Sequence, residues 1–437
     1  MLELHCAKPA LTDAAAPTVP RRYAWVVFAL TFGLLLSDYM SRQVLNAVFP
    51  LLKAAWGLTD TQLGSLSSVV ALMVGVLTLP LSMLADRWGR VKSLVLMALL
   101  WSLATLGCAL ATHYGEMLAA RAIVGLGEAA YGSVGIALIL SIFPAHLRST
   151  LTGAFMAGGA FGSVLGMALG GYVAVRFGWR WSFGAMALFG IVLVAAYWAV
   201  VTEKRIASNQ PRAIRAEGAR VGFRALFTAL FSTVSVICAY IGSGLQLFIM
   251  AAVLAWMPSY LNRYYGLAPD KAGAGAAVFV LIGGIGMVVC GIVTDRVSRG
   301  VPARKWLTAI AYCAVSFVLI GLAFRLPAGP AQLVLLGAGL FAVAGTSGPA
   351  GAMVANLTPS AIHASAFATL TLANNLLGMA PGPLVTGLLA DRIGLLGALQ
   401  AIPLVSLGAM FAFALGRLRY TRDLRRLDSL RRHAATQ

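Results

Sequence analysis

Arg121-Ala-Ile-Val-Gly125-Leu-Gly127-Glu128-Ala-Ala-Tyr131 sets two full charges inside an apolar run from about Met117 to Phe143. An ionisable side chain within a membrane span is costly, so it marks a substrate, ion or proton site before it marks packing. Seven residues, two helical turns, separate Arg121 from Glu128. Both charges therefore look out of one face of one helix, and that face must line a watery or protein-walled cavity.

The rest of the chain supplies a scaffold for such a cavity. Of 437 residues 60% are hydrophobic and 11% charged, and the mean hydropathy is +0.86. A soluble core has no use for that much apolar surface, so the class is an all-α polytopic membrane protein. Stretches long enough to cross fall near 24–49, 63–84, 93–112, 116–143, 149–175 and 181–201, and again near 226–260, 271–294, 305–325, 331–355, 362–390 and 396–416. That is twelve spans in two sets of six. Residues 1–23 hold Glu3, Asp13 and three prolines and read as a polar tail rather than a signal peptide. Residues 202–225 form the one long polar break, a linker between a bundle at 24–201 and a bundle at 226–416. Residues 417–437 form a basic tail.

The net charge of +19 invites a nucleic-acid reading, but its distribution gives topology instead. With both termini on one side, 24 of the 33 Lys and Arg residues fall on that side and seven on the other, while Arg42 and Arg121 lie within spans. This bias predicts cytoplasmic termini in a plasma membrane, the inner membrane of a bacterium, and leaves no need for nucleic acid. The arginines after Arg417 serve as a topology anchor, with contact to anionic lipid as the alternative. Four of the five cysteines sit in apolar runs, and no metal spacing, nucleotide loop or nucleophile–base pair is visible. The sequence thus predicts no enzyme and no cofactor, and a monomer whose partners are the bilayer and a small-molecule or lipid-like substrate.

A weak internal repeat relates the two sets of spans. Asp86-Arg87 closes the second span and Asp295-Arg296 the eighth; Arg176-Phe-Gly178 closes the fifth and Arg392-Ile-Gly394 the eleventh. Ser82-Met-Leu-Ala-Asp86-Arg87-Trp-Gly89-Arg90 resembles the loop between the second and third helices of the major facilitator superfamily, and Gly291-Ile-Val-Thr-Asp295-Arg296-Val-Ser-Arg299 is its echo. Arg121-x-x-x-Gly125-x-Gly127 looks like that family's fourth-helix motif. Gly162-x-x-x-Gly166-x-x-x-Gly170-Gly171 resembles its antiporter fifth-helix motif, with Met167 in place of the proline. Asp38-Tyr-Met-Ser-Arg42, Gly127-Glu128-Ala-Ala-Tyr131 and Gly178-Trp-Arg-Trp-Ser-Phe183 narrow the resemblance to Spinster-like transporters and the related anion:cation symporters. Those usually carry an acid just before the first-helix Arg, where this chain has Ser41. The resemblance implies a major facilitator fold, secondary transport, and a proton gradient as the energy source.

Depth is readable without a template. Arg22 to Arg42 is twenty residues, and Glu128 to Arg148 is twenty residues, each about 30 Å of helix. Arg42 and Glu128 are thus expected at one height on two helices. Asp38 precedes Arg42 by one turn and shares its face. Arg121 is expected about 10 Å further out, near the outer mouth. The functional reading assigns substrate binding to Arg42, whose planar fork suits a carboxylate or phosphate, with Arg121, Tyr131, Gln246 and Asn375 beside it. Proton coupling goes to Glu128 and Asp38, because desolvation favours the neutral acid and the guanidinium favours the carboxylate. The alternative is a fixed ion network holding two helices in register. Asp86, Arg87, Arg90, Asp295, Arg296 and Arg299 are expected to form an inner gate that breaks when the cavity opens. The leading function is alternating-access, proton-coupled movement of an organic anion or an anionic, lysolipid-like amphiphile. Two further functions compete with it: a proton-coupled exporter of cations or drugs, and a lipid flippase or receptor without proton coupling.

Overall fold

The computed structural model describes residues 19–144, 147–207, 230–231, 233–358 and 363–435. Much of the tail at 1–23 and of the linker at 202–225 lies outside the described residues, as does the expected start of the seventh span. The side chains of Asp86 and Arg148 lie outside them too. All of the regular structure described is helical.

Among the described residues the helices run back and forth as eleven apolar stretches, the last of which, Ser365–Arg425, is divided at Gly394 into two, giving twelve spans. Spans 1–3 are Arg21–Trp56, Asp60–Trp88 and Arg90–Leu110. Span 4 is two pieces, Tyr114–Glu128 and Tyr131–Ile142. Spans 5 and 6 are Arg148–Phe177 and Trp179–Val200. Spans 7–9 are Val234–Tyr265, Pro269–Val297 and Arg304–Ala323. Span 10 is again two pieces, Pro330–Ala344 and Ser347–Leu357. Span 11 runs through His363–Asn374, a π-helical turn at Asn375–Met379 and the helix that starts at Pro381. Gly394, at φ 77°, ends it and turns the chain into span 12, which continues to Ala435. These helices are long and apolar enough to cross a membrane. The near face is the one on which the first span begins; the far face lies opposite.

Local chemistry explains the turns. Span 1 ends at Gly57, whose φ of 63° suits a glycine. Span 2 opens with a capping box in which Thr59 and Gln62 satisfy each other's backbone N–H. The glycines of span 5 set its packing against span 1. A Cβ on Gly162 would lie 2.5 Å from the Leu36 carbonyl oxygen, and one on Gly166 would lie 2.6 Å from that of Met40. Only glycine permits backbones to meet so closely.

The two six-span halves are locked together at the far face. Phe49 of span 1 packs on Trp256 of span 7 with ring centroids 5.4 Å apart. The backbone of Gly171 meets Pro269, and Gly387 meets Asp60, at distances that leave no room for a Cβ. Charges complete the seal. Arg263 of span 7 grips Asp60 of span 2 with both terminal nitrogens, at 2.8 and 2.6 Å. Lys53 adds a bond of 2.6 Å. Asp391 of span 11 accepts from the backbone N–H groups of Asp60 and Thr61 at 2.8 and 2.9 Å, capping span 2 from the opposite half.

Candidate functional site

Span 4 breaks immediately after Glu128. Ala130, at φ −114° and ψ 0°, interrupts the helix, and the carbonyl freed at Ala129 shares the Thr78 hydroxyl, at 2.8 Å, with the Val74 carbonyl. Irregular backbone at membrane depth is tolerated only inside protein or along a watery cavity. Span 10 breaks at Gly345–Thr346, so the fourth span of each half is interrupted. Transporter sites are built at such discontinuities.

The first piece of span 4 is held in place by its own glycines. A Cβ on Gly125 would strike Val70 of span 2, and one on Gly127 would strike Trp101 of span 3. This fit points Glu128 at span 1, where it meets Arg42. Arg42 donates from Nε at 2.9 Å and from Nη2 at 2.6 Å, both to Oε2 of Glu128. Ser41 sends its hydroxyl toward Oε1 at 3.5 Å while bonding the Asp38 carbonyl at 2.8 Å. The Glu128 side chain has no exposed surface, whereas Arg42 keeps 16%. The Nη1 edge of Arg42 is not used by Glu128, and the guanidinium carbon lies 5.4 Å from the centre of the Tyr39 ring. Asp38 is buried, with its carboxyl beside that of Glu128. Two acids and one base therefore share one buried cluster.

The other candidates take different positions. Arg121 is fully buried instead of standing at an open mouth. Its fork donates to the carbonyls of Ser41, Arg42 and Leu66 at 3.1, 3.4 and 3.4 Å, so it clamps spans 1 and 2. The far-face seal closes over the level where an entrance was expected. Tyr131 is also buried; its hydroxyl donates to the Thr31 carbonyl at 2.9 Å and its ring stands on Trp101. Gln246 is buried and donates to Ser316 at 3.3 Å within its own half. Asn375 donates back to Thr371 at 2.9 Å and packs on Gly75 of span 2. The gate contacts seen among the described residues lie inside one half or the other. Arg90 donates to the Ala137 carbonyl at 3.3 Å inside the first half, and Asp295 faces Lys305 at 3.7 Å inside the second. Arg87, Arg296 and Arg299 are exposed, and the Asp86 side chain is outside the described residues.

Sequence reasoning missed Ser41, Tyr39 and Thr78 at the cluster, and all of the far-face lock. Tyr39 follows Asp38 and Ser41 precedes Arg42 on one helix, a signal that was available. Among the described residues no group of His, Cys, Asp and Glu is placed to hold a metal.

Comparison with known proteins fits this geometry. The family profile of the Major Facilitator Superfamily matches residues 31–376. The probable L-galactonate transporter of Escherichia coli strain K12 is 27% identical over 75% of this chain and 75% of its own. The gallate transporter of Pseudomonas putida is 26% identical over 69% of this chain and 71% of its own. A crystal structure of a bacterial homolog of the human lysosomal transporter Spinster superposes with a TM-score of 0.83 at 18% identity, covering 92% of this chain and 99% of that one. That likeness shows a shared fold. The chain is a membrane transporter rather than an enzyme, and it belongs to the major facilitator superfamily, resembling its Spinster-like and anion:cation symporter members.

Proposed function

We propose that this transporter moves a small organic anion together with protons by alternating access, in a bacterial inner membrane with both termini in the cytoplasm. The Arg42–Glu128 pair is the observation that carries the reading. Arg42 is always charged and offers a planar fork; Glu128 takes its Nε and Nη2 and does not use the Nη1 edge. A carboxylate arriving at that edge competes with Glu128 for the guanidinium. Once displaced, Glu128 faces Asp38 with no cation between them. Two carboxylates held together out of water are unfavourable, and a bound proton relieves the repulsion. Anion and proton then travel together. Relatives named for transport of L-galactonate and gallate, both carboxylates, support an organic acid as cargo.

Arg121 and Tyr131 take supporting roles in this scheme, fixing the backbone that carries Arg42. The proton gradient is the energy source. The test is a thermal-shift titration of purified protein with organic acids, repeated on Arg42→Ala. A stabilising acid that loses its effect in Arg42→Ala supports the reading. An acid that stabilises both proteins equally overturns it, and stabilisation by organic cations alone would favour an exporter built on Asp38 and Glu128.

A further inference from the structure

Span 12 does not stop at the membrane edge. Its helix continues to Ala435, and Gly416, Tyr420 and Asp423 are buried in the second half. Gly416 lies against the Trp306 ring with no room for a Cβ, and Tyr420 packs 5.8 Å from the same ring. Asp423 accepts from the Ser235 backbone N–H at 3.0 Å and from the Ser235 hydroxyl at 2.6 Å. Ser235 and Trp306 sit at the near ends of spans 7 and 9. Span 9 has 20 residues, about 30 Å of helix, which is one hydrocarbon thickness. Its first turn therefore marks the near interface, and Tyr420 lies at headgroup level.

Four arginines leave the helix around that level, away from the buried stripe. Arg417, Arg419, Arg422 and Arg425 are all exposed. At about 100° per residue, Arg422 and Arg425 stand on the arc opposite Gly416, Tyr420 and Asp423, with Arg417 and Arg419 flanking that stripe on either side. Leu407, Phe411 and Leu418 lie on the same arc, 46%, 71% and 80% exposed. The arginine face thus prolongs the lipid-facing apolar stripe of the span. Between Arg417 and Arg425 the one acid, Asp423, is turned inward and used as a cap. The charged groups that point outward over residues 417–425 are all cationic.

We propose that this face binds anionic phospholipid headgroups and docks the C-terminal helix on the membrane. Charge complementarity selects the occupant, and the lipid-facing stripe sets its place: a headgroup phosphate lies where the acyl chains pack on Leu407 and Phe411. Each arginine near an anionic surface is worth about fivefold in association.

Full-length protein is reconstituted in bilayers of phosphatidylcholine mixed with phosphatidylglycerol, and retained lipids are counted by native mass spectrometry. The wild type is expected to enrich phosphatidylglycerol. The variant R417Q/R419Q/R422Q/R425Q is expected to lose at least about tenfold of that preference, while the four-lysine variant keeps it. Unchanged enrichment in the glutamine variant overturns the proposal and leaves the face for an acidic protein segment. Equal loss in the lysine variant also overturns it, because the effect would then be helix damage rather than charge.

Discussion

Replacing Asp60 by Asn keeps the side chain's shape and removes the charge that Arg263 and Lys53 share. Asp60 is 5% exposed, Arg263 27% and Lys53 39%. A fully buried pair broken on one side costs about 3–5 kcal/mol, and an exposed one about 0–1 kcal/mol. This site lies between those limits, at about 2 kcal/mol, because two cations bind one nearly dry carboxylate. The lock exists only when the far face is closed, so that energy moves the balance between closed and open states. At about 1.4 kcal/mol per factor of ten, the far-open population rises about thirtyfold. Spin labels at Ala55 and Ala268, one on each half at the far face, report it by pulsed electron–electron distance measurement. Asp60→Asn is expected to transfer population from a short to a longer distance. Arg263→Gln gives the same transfer, and combining the two adds little, since they break one interaction. A distance distribution unchanged in the folded Asp60→Asn protein would refute the assignment of these residues to the far-face lock.

Other substitutions probe the scaffold. Gly166→Val drives a side chain into the Met40 backbone; overpacking of this kind costs on the order of 1–3 kcal/mol, read as a lower melting temperature in detergent, and an unchanged one would refute the close contact. Tyr131→Phe removes the hydroxyl bond to Thr31 but keeps the ring on Trp101. It is expected to cost about 1 kcal/mol of stability with substrate affinity unchanged, and a loss of affinity would return Tyr131 to the binding site.

The fold was legible because hydropathy alone marks the spans. The paired Asp-Arg loops at 86–87 and 295–296 mark the repeat. Counting residues from Arg22 and Arg148 placed Arg42 and Glu128 at one height, and they meet at 2.6 Å. Arg121 was harder. Its position on the helix was readable, but its carbonyl partners are backbone atoms that carry no sequence signal. The break after Glu128 has no proline to announce it. The far-face lock was invisible because Lys53, Asp60, Arg263 and Asp391 are scattered near span ends where charge is ordinary. Arginine content made residues 417–437 read as a tail. Burial of Tyr420 and Asp423 depends on Trp306 and Ser235, which are remote in the chain.

Exchange of partners at Glu128 is measured most directly in vesicles holding the Glu128→Gln protein and an organic acid found to bind Arg42. Gln keeps the shape and cannot carry the proton. An imposed pH gradient is expected to drive accumulation by the wild type and none by the variant, while exchange of labelled for unlabelled acid persists in both. Accumulation in Glu128→Gln that still follows the pH gradient would contradict the coupling mechanism.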